Sequence, residues 1–241
     1  MKKEILYVVG IGPGDPELLT IKAQRILRDI SCIVVPKGKE DGSSLALSIV
    51  SKVINIDTKE ILEAHFPMVK QIDQEIEGKW DAVINTITNG LNKHNQLAFI
   101  TLGDPSIYST FFYIYEGLKR KRSSLEIIFI PGISSINASA CLASMALALG
   151  NEKLAVIPAT YTIEQLSYII DTFETVVFMK VHRVFDKILA LLRDKDLLYN
   201  AIYIARVGME GGKIIMNLLD VDKDDLNYFS LIILKKGEKG F

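Results

Sequence analysis

Short apolar blocks rich in β-branched residues alternate with helical patterns along most of the chain. These blocks predict buried strands, because a strand covered on both faces reads as a continuous apolar run. They span residues 5–9, 32–35, 97–101, 127–130, 155–157 and 176–179. The clearest helical pattern covers residues 69–91, where apolar side chains recur at spacings of three and four. This alternation favours a mainly parallel sheet flanked by helices.

The last part of the chain has a different pattern. Residues 201–205, 213–216 and 229–234 read as strands with little helix between them, which predicts a second, mixed sheet. A charge run at residues 119–124 is either a domain boundary or a solvated helix end. We therefore expect an α/β protein with one α/β domain over residues 1–120 and a second over residues 121–241.

Composition excludes several classes of protein. The chain has 28 Lys plus Arg against 29 Asp plus Glu, so no overall cationic field attracts nucleic acid or an anionic membrane. Its start reads as a first strand and not as a signal peptide, and the longest small-and-apolar stretch is too short to span a membrane. Cys32 and Cys141 lie in apolar runs and are predicted to be core residues. These features indicate a soluble, cytoplasmic protein.

The loops that follow the predicted strands carry the unusual residues, and ligands of open α/β sheets bind beyond the carboxyl ends of strands. Three of these loops are V-G-I-G-P-G-D-P-E-L-L-T at 9–20, T-L-G-D-P-S-I-Y at 101–108 and I-P-G-I-S-S-I-N at 130–137. The first has no G-x-G-x-x-G spacing, and no acidic residue ends the next strand, which disfavours nicotinamide binding. A P-loop is also absent from the sequence. Asp15 and Asp104 suit either helix capping or acid–base chemistry.

Four motifs follow one another along nearly the whole chain: the opening V-G-I-G-P-G-D-P-E-L-L-T, then L-G-D-P-S-I-Y-S, P-G-I-S-S and F-M-K. Taken in this order, they resemble the motifs of the tetrapyrrole (corrin and porphyrin) methylase family. Within the family, three shorter segments are similar to the C-20 methyltransferases of cobalamin biosynthesis. They are P-K-G at 36–38, S-S-L-A-L-S-I at 43–49 and A-R-V-G-M-E-G at 205–211. Those enzymes act on precorrin-2 or cobalt-factor II. The resemblance implies two α/β domains with S-adenosylmethionine in the cleft between them, commonly in a homodimer.

The resemblance also implies roles for individual residues. The residues expected to bind the cofactor are Gly103, Asp104, Ile107, Ser134, Ser135, Met179, Val207 and Gly208. The first loop, with Gly12, Pro13 and Asp15, is expected to face the substrate. This chain departs from the family at Leu102, where a second glycine is common, and at Ser134-Ser135, where Thr-Ala is common.

Methyl transfer to C-20 needs alignment of the reactants and then removal of the C-20 proton, for which Asp104 and Asp15 are candidate acceptors. A uroporphyrinogen-derived substrate has eight carboxylates, and cations at predicted strand ends could bind them. The candidate cations are Lys37, Lys39, Lys180, Arg183 and Arg206. His182 is either an ordinary histidine at a helix start or a carboxylate donor or proton acceptor.

Other side chains are expected to be structural. His65 and His94 are not at metal-ligand spacing, so no protein-bound metal is predicted. The aromatic residues at 108, 111, 112 and 115 follow helical spacing and are predicted to lie in the core.

Several alternative functions remain open from the sequence. A member of the same superfamily could methylate another ring carbon or a substrate that is not a tetrapyrrole, such as a modified histidine on a translation factor. A nucleotide-dependent oxidoreductase is disfavoured by the glycine spacing and the missing ribose acid. A non-catalytic tetrapyrrole carrier would keep the cations without binding S-adenosylmethionine. The sequence does not separate a metal-free from a cobalt-bearing substrate.

Overall fold

The computed structural model describes residues 3–37, 44–66 and 74–237. The chain divides into two compact units, Met1–Ser134 and Ser135–Phe241. This division lies later than the boundary expected after residue 120. The reason is that strand β5 (Glu126–Ile130) pairs with strand β1 (Ile5–Gly10) and therefore belongs to the first sheet.

The first unit contains a five-stranded parallel sheet. Besides β1 and β5 its strands are β2 (Cys32–Lys37), β3 (Glu60–His65) and β4 (Gln96–Thr101), in the order β3-β2-β4-β1-β5. The four strands predicted from apolar runs are confirmed. Strand β3 was not predicted, because it lies at the sheet edge and its mixed sequence, E-I-L-E-A-H, buries only one residue fully.

Helices cover both faces of this sheet. They are α1 (Ile21–Asp29), α2 (Leu45–Val50), α3 (Gln74–His94) and α4 (Phe112–Lys121). Alternate residues of β1 face opposite sides, so that Val8 packs in a core with α3 and α4 while Val9 packs in a core with α1 and α2. The helix predicted over 69–91 is confirmed from Gln74 onward, and residues 69–73 lie outside the described residues.

Helix α4 ends within the charge run at residues 119–124. The Lys119 ammonium donates to the backbone oxygen of Leu125 at 2.9 Å, and Arg122 forms an ion pair of 3.1 Å with Glu4. Cations at the last turn of a helix complement the partial negative charge of its free carbonyls. Of the two interpretations left open by the sequence, the structure shows the helix end.

The second unit contains the predicted mixed sheet. Its strands are β6 (Leu154–Pro158), β7 (Thr175–Met179), β8 (Ala201–Ala205), β9 (Lys213–Ile215) and β10 (Ser230–Lys235), in the order β6-β7-β10-β8-β9. Strands β6 and β7 are parallel, whereas β10 is antiparallel to both neighbours. Its helices are α5 (Ser135–Leu142), α6 (Ile163–Thr172) and α7 (Phe185–Asp194). Among the described residues, no helix combines the length and apolar character needed to cross a membrane.

The prediction that both cysteines are core residues is half wrong. Cys32 is buried in β2, but Cys141 is exposed. Helix α5 buries Ile136, Ser139 and Ala140, which lie three and four positions apart on one face. Cys141 follows Ala140 by one residue and is therefore turned about 100° away from that face.

The aromatic group around α4 also differs from the prediction. Phe111 is fully buried, but Tyr108 and Phe112 are about half exposed, at 49% and 51%. Tyr108 has a positive φ of 54° and precedes the helix, which begins at Phe112, so the four aromatic residues do not share one helical face. Phe112 instead stacks on Phe129 of β5, with ring centroids 5.2 Å apart.

Candidate functional site

Three glycine-rich loops meet at the carboxyl edge of the first sheet. Strands β4, β1 and β5 are neighbours, so the loops that follow them lie side by side. The backbone N–H of Gly103 donates to the oxygen of Gly12 at 2.8 Å, and the N–H of Gly12 donates back at 3.3 Å. Gly12 and Gly103 both have a positive φ, of 79° and 69°, which favours glycine at these positions. The structure thus brings together two residues that the sequence placed in one site.

The backbones of Gly10, Gly103 and Gly132 pack directly against each other. A Cβ atom on Gly132 would lie 2.2 Å from the oxygen of Gly103 and 2.8 Å from the carbonyl carbon of Gly10. A Cβ on Gly10 would lie 2.7 Å from that same oxygen and from the nitrogen of Gly132. Side chains at Gly10 and Gly132 are therefore excluded by neighbouring backbone, which explains a glycine in each position.

Asp104 ties the second of these loops to the third. Its Oδ2 accepts a hydrogen bond of 2.9 Å from the backbone N–H of Gly132, and its Oδ1 accepts from both the backbone and the hydroxyl of Ser106. Partial burial raises the pKa of the Asp104 carboxyl, but these donors outweigh it and hold the pKa below its ordinary value. A carboxylate held in this way is suited to positioning the loops and poorly suited to accepting a proton.

Asp15 has a capping role in the first loop. Its Oδ1 accepts a hydrogen bond of 2.9 Å from the backbone N–H of Glu17, at the start of a 3-10 turn over Pro16–Leu18. Gly12 and Pro13, the residues expected to face the substrate, are buried. The capping interpretation of Asp15 is thereby confirmed, while a role in proton transfer stays a prediction.

The end of the second loop presents an apolar surface. Ile107 is 38% exposed, and its backbone N–H donates to the oxygen of Asp104 at 3.3 Å. Ser134 is buried at the end of the first unit, and Ser135 begins helix α5 of the second. At Gly103 a Cβ would meet only the Cα of Ser134, at 3.9 Å. A side chain at Gly103 would thus make only an ordinary contact at its Cβ, and it is the positive φ that favours glycine there.

Lys37 ends β2, which is the neighbour of β4 in the sheet. Its ammonium is largely buried and forms an ion pair of 2.6 Å with Glu63 of β3. Both residues line a cavity of about 270 Å³ between the β2–β3 edge and helix α2. Lys39, another cation expected at the site, lies outside the described residues.

The second unit gathers its predicted site residues at one edge of its own sheet. Met179 ends β7, while Val207 and Gly208 follow β8. Strand β10 runs between β7 and β8, and its Leu231 pairs with Met179. Since adjacent strands are about 4.8 Å apart, the ends of β7 and β8 are separated by about 10 Å.

Cations flank this edge of the second sheet. Lys180 has a positive φ of 61° and leads into a 3-10 turn that contains His182 and Arg183. Arg206, also at positive φ, follows β8 and lines a polar pocket of about 330 Å³ together with Glu210 and other charged residues. The three predicted cations of this unit therefore lie at the carboxyl ends of two nearly adjacent strands.

His182 has an unusual environment. Its Nδ1 atom is buried and has no hydrogen-bond partner in the part of the chain that the structure describes. The ring packs edge-on against Tyr228, with centroids 5.5 Å apart. Burial lowers the pKa of the imidazole, and the charge of Arg183 lowers it further. Both effects favour the neutral form of the imidazole.

Sequence reasoning missed Tyr228 and Phe229. They are 55% and 39% exposed, with their rings edge-to-face at 5.1 Å, immediately before β10. The backbone oxygen of Phe229 accepts from Arg206 at 2.7 Å, which places this pair at the same sheet edge as the cations. The signal that could have found them is two consecutive aromatic residues in the sequence. Neighbouring residues of a strand point to opposite faces, so one side of a sheet cannot bury both rings.

The described residues contain no group of three or more His, Cys, Asp or Glu side chains that could hold a metal ion. His94 instead forms a 2.8 Å contact with Glu60, and His65 lies 3.7 Å from Glu63. Both histidines are thus accounted for by ion-pair contacts in the first unit.

Comparison with known proteins agrees with the motif order. A family model for tetrapyrrole (corrin/porphyrin) methylases matches residues 5–221. The chain is 35% identical over 233 residues to the probable cobalt-precorrin-2 C(20)-methyltransferase of Methanocaldococcus jannaschii, covering 96% of each chain. It is 34% identical over 232 residues to the cobalt-precorrin-2 C(20)-methyltransferase of Salmonella typhimurium, again covering 96% of each.

A solved structure has the same fold. It is the uroporphyrin-III C-methyltransferase of Thermus thermophilus complexed with S-adenosylhomocysteine, which superimposes with a TM-score of 0.65 at 19% sequence identity. The match covers 96% of this chain and 97% of that chain. With a family model that spans most of its length and relatives above 30% identity over nearly all of it, the chain belongs to the tetrapyrrole (corrin/porphyrin) methylase family.

Proposed function

We propose that this protein is an S-adenosylmethionine-dependent methyltransferase that methylates C-20 of precorrin-2, or of its cobalt-bearing counterpart, in cobalamin biosynthesis. The observation that carries this proposal is the similarity, over 96% of both chains, to two proteins named as cobalt-precorrin-2 C(20)-methyltransferases. A methylase of another ring carbon and a non-catalytic tetrapyrrole carrier are the competing functions. A carrier would not bind S-adenosylmethionine, and a methylase of another ring carbon would form a different product.

The loops of the first unit fit an adenosyl cofactor. A Cβ on Gly103 would make only one ordinary contact, so its outer side is uncrowded, and Ile107 of the same loop adds an exposed apolar surface. In this proposal the residues that bind the cofactor are Gly103, Asp104, Ile107, Ser134, Ser135, Met179, Val207 and Gly208. When bound, S-adenosylmethionine supplies an electrophilic methyl group on a sulfonium centre.

The two aspartates have separate roles in this proposal. Asp104 positions the loops around the cofactor, because its two oxygens already accept three hydrogen bonds and its pKa is lowered. Asp15 accepts one recorded hydrogen bond, through Oδ1, and is the better candidate of the two for accepting the C-20 proton.

Cations bind the carboxylates of the tetrapyrrole in this proposal. Lys180, Arg183 and Arg206 lie at the same edge of the second sheet, where a bidentate guanidinium can hold an acetate or propionate side chain. Gly12 and Pro13 shape the substrate side of the first loop. Lys37 contributes only if its ion pair with Glu63 opens, since the ammonium is already neutralised.

We also propose that the protein acts as a homodimer in the cytoplasm. The resemblance of its motifs to the methylase family supports the dimer. Two cysteines that form no disulfide are compatible with a reducing compartment. Sedimentation velocity on the purified protein tests the dimer, since a species of one chain at micromolar concentration would contradict it.

Two measurements test the function. Calorimetry with S-adenosylhomocysteine should show binding, and its absence would leave the carrier as the better proposal. Incubation with S-adenosylmethionine labelled with carbon-13 in the methyl group should then give a product whose labelled methyl carbon is bonded to C-20, which NMR identifies. Precorrin-2 and cobalt-factor II are compared as substrates in parallel. Label at another ring carbon would reassign the reaction within the family.

Single-turnover measurements with saturating S-adenosylmethionine test the roles of the aspartates. Asp104→Asn should weaken binding of S-adenosylhomocysteine first, because it disturbs the loop that binds the cofactor. Asp15→Asn should leave that binding unchanged and slow the loss of the C-20 proton. Unchanged turnover in Asp15→Asn would remove Asp15 as the proton acceptor.

A further inference from the structure

The imidazole of His182 has a hydrogen-bonding atom that the described structure leaves unused. Buried polar atoms in folded proteins are nearly always paired, so a buried Nδ1 without a partner requires an explanation. The residue lies on the turn after β7, three positions beyond Met179, which the family motif assigns to the cofactor. The position of His182 and the missing hydrogen bond at Nδ1 together indicate a ligand that supplies the partner.

The groups around His182 are predominantly cationic. Lys180 and Arg183 lie on its own turn, and Tyr228 meets its ring from the segment before β10. Helix α7, which packs against the turn, carries Asp186 and Lys187 in its first turn. An anionic ligand is therefore favoured here over a cationic or a neutral one.

We propose that His182 and Arg183 form a subsite for one carboxylate side chain of the tetrapyrrole, and that His182 takes up a proton when this carboxylate binds. The inference rests on the proposed function, which supplies an octacarboxylate substrate. Because Nδ1 is buried in the free protein, the ring must turn to expose this atom to the carboxylate. The proton then moves from solvent buffer to Nδ1, whose lone pair forms the new N–H bond. The substrate carboxylate stays ionised and accepts the resulting charge-assisted hydrogen bond.

The energetics of this step follow from the surroundings. In the free protein, burial and Arg183 favour the neutral imidazole, as the lowered pKa of His182 shows. A carboxylate placed beside both groups neutralises Arg183 and stabilises the imidazolium, so the same pKa rises on binding. Binding of the substrate is thereby coupled to proton uptake, and it should weaken as pH rises from the pKa of the free imidazole to the higher pKa of the bound one.

Calorimetry with uroporphyrin III tests this coupling directly. This stable octacarboxylate is titrated near neutral pH into protein loaded with S-adenosylhomocysteine, in buffers of different ionisation enthalpy. For the wild-type protein we expect uptake approaching about one proton per chain. In His182→Asn, whose amide can still donate near the Nδ1 position, uptake should fall by about one half or more of a proton while binding is retained.

Two further variants sharpen the test. His182→Phe removes every donor and should weaken uroporphyrin binding about tenfold or more. His65→Asn is the matched control, because His65 is a half-exposed imidazole beside a carboxylate in the other unit, and its proton uptake should equal that of the wild type. Thermal unfolding and binding of S-adenosylhomocysteine verify that each variant is folded.

A measurement on the unmodified protein removes any dependence on the variants. The chain has three histidines, so their ring C–H signals can be followed by NMR across a pH series with and without uroporphyrin. The pKa of His182 should rise on binding while that of His65 stays constant. A His182 signal whose titration does not move would overturn the proposal.

The outcomes separate this inference from the function on which it rests. If uroporphyrin binds but the wild-type protein and His182→Asn take up equal numbers of protons, His182 is not part of the subsite and the methyltransferase proposal stands. If His182→Asn binds normally and instead slows loss of the C-20 proton, His182 is the proton acceptor and the carboxylate subsite is refuted. If uroporphyrin does not bind at all, the tetrapyrrole substrate itself is contradicted.

Discussion

Substituting Gly132 by alanine should disrupt the junction of the three glycine-rich loops. Its Cβ would lie 2.2 Å from the oxygen of Gly103 and 2.8 and 2.9 Å from two backbone atoms of Gly10. The first distance is more than 1 Å inside an ordinary contact of about 3.5 Å, and every neighbour is backbone. Overpacking costs about 1–3 kcal/mol, and loss of the bond to Asp104 adds to it, so we expect destabilisation by about 2–5 kcal/mol.

Urea unfolding and calorimetry measure this prediction. The free energy of unfolding should fall by about 2–5 kcal/mol. Affinity for S-adenosylhomocysteine should fall about tenfold, which corresponds to about 1.4 kcal/mol of destabilisation in the loop that binds it. Gly78→Ala is the matched control, since Gly78 lies in helix α3 with nothing within 4 Å of its Cβ position. That variant should gain about 0.5–1 kcal/mol. A Gly132→Ala protein as stable as the wild type, with unchanged affinity, would refute the packing argument.

Three further predictions concern single side chains. Asp104→Asn should lower stability by about 1–3 kcal/mol at neutral pH. Because the folded pKa of Asp104 is lowered, this difference is fully present above the unfolded pKa and should vanish as pH falls through the folded value, as urea midpoints across a pH series will show. Tyr203→Phe should cost about 1–3 kcal/mol in urea unfolding, because the buried hydroxyl accepts from the N–H of Asn227 at 3.3 Å. A thiol reagent should label Cys141 in the native protein and Cys32 only after unfolding, because burial raises the pKa of the Cys32 thiol to about 11.

Much of the fold follows from apolar periodicity, and its limits are physical. Strands β1, β2, β4 and β5 are covered on both faces and therefore read as continuous apolar runs. Edge strand β3 lacks that signature. The compact units divide later than the boundary expected after residue 120, because a local charge run does not reveal that β5 pairs with β1, a contact between residues more than 100 positions apart along the chain.

The candidate site was predictable in part. Motifs identified the loops, and the structure places all three at the carboxyl edge of the first sheet, where ligands of open α/β sheets bind. The environment of a side chain was not predictable, since it depends on strand order. His182 meets Tyr228 only because β10 inserts between β7 and β8, and nothing in the sequence near either residue indicates that insertion.

The glycine spacing of the first loop now has a structural explanation. A nicotinamide-binding loop needs its glycines to admit a pyrophosphate and to pack its helix closely. Here Gly10 packs against the backbone of Gly103 and Gly132, and Gly12 exchanges hydrogen bonds with Gly103. These glycines let three loops of the protein contact each other, so a third glycine at the position of Asp15 is not required. The residue there instead caps the following turn. The glycine spacing that disfavours a dinucleotide is thus the spacing with which this junction forms.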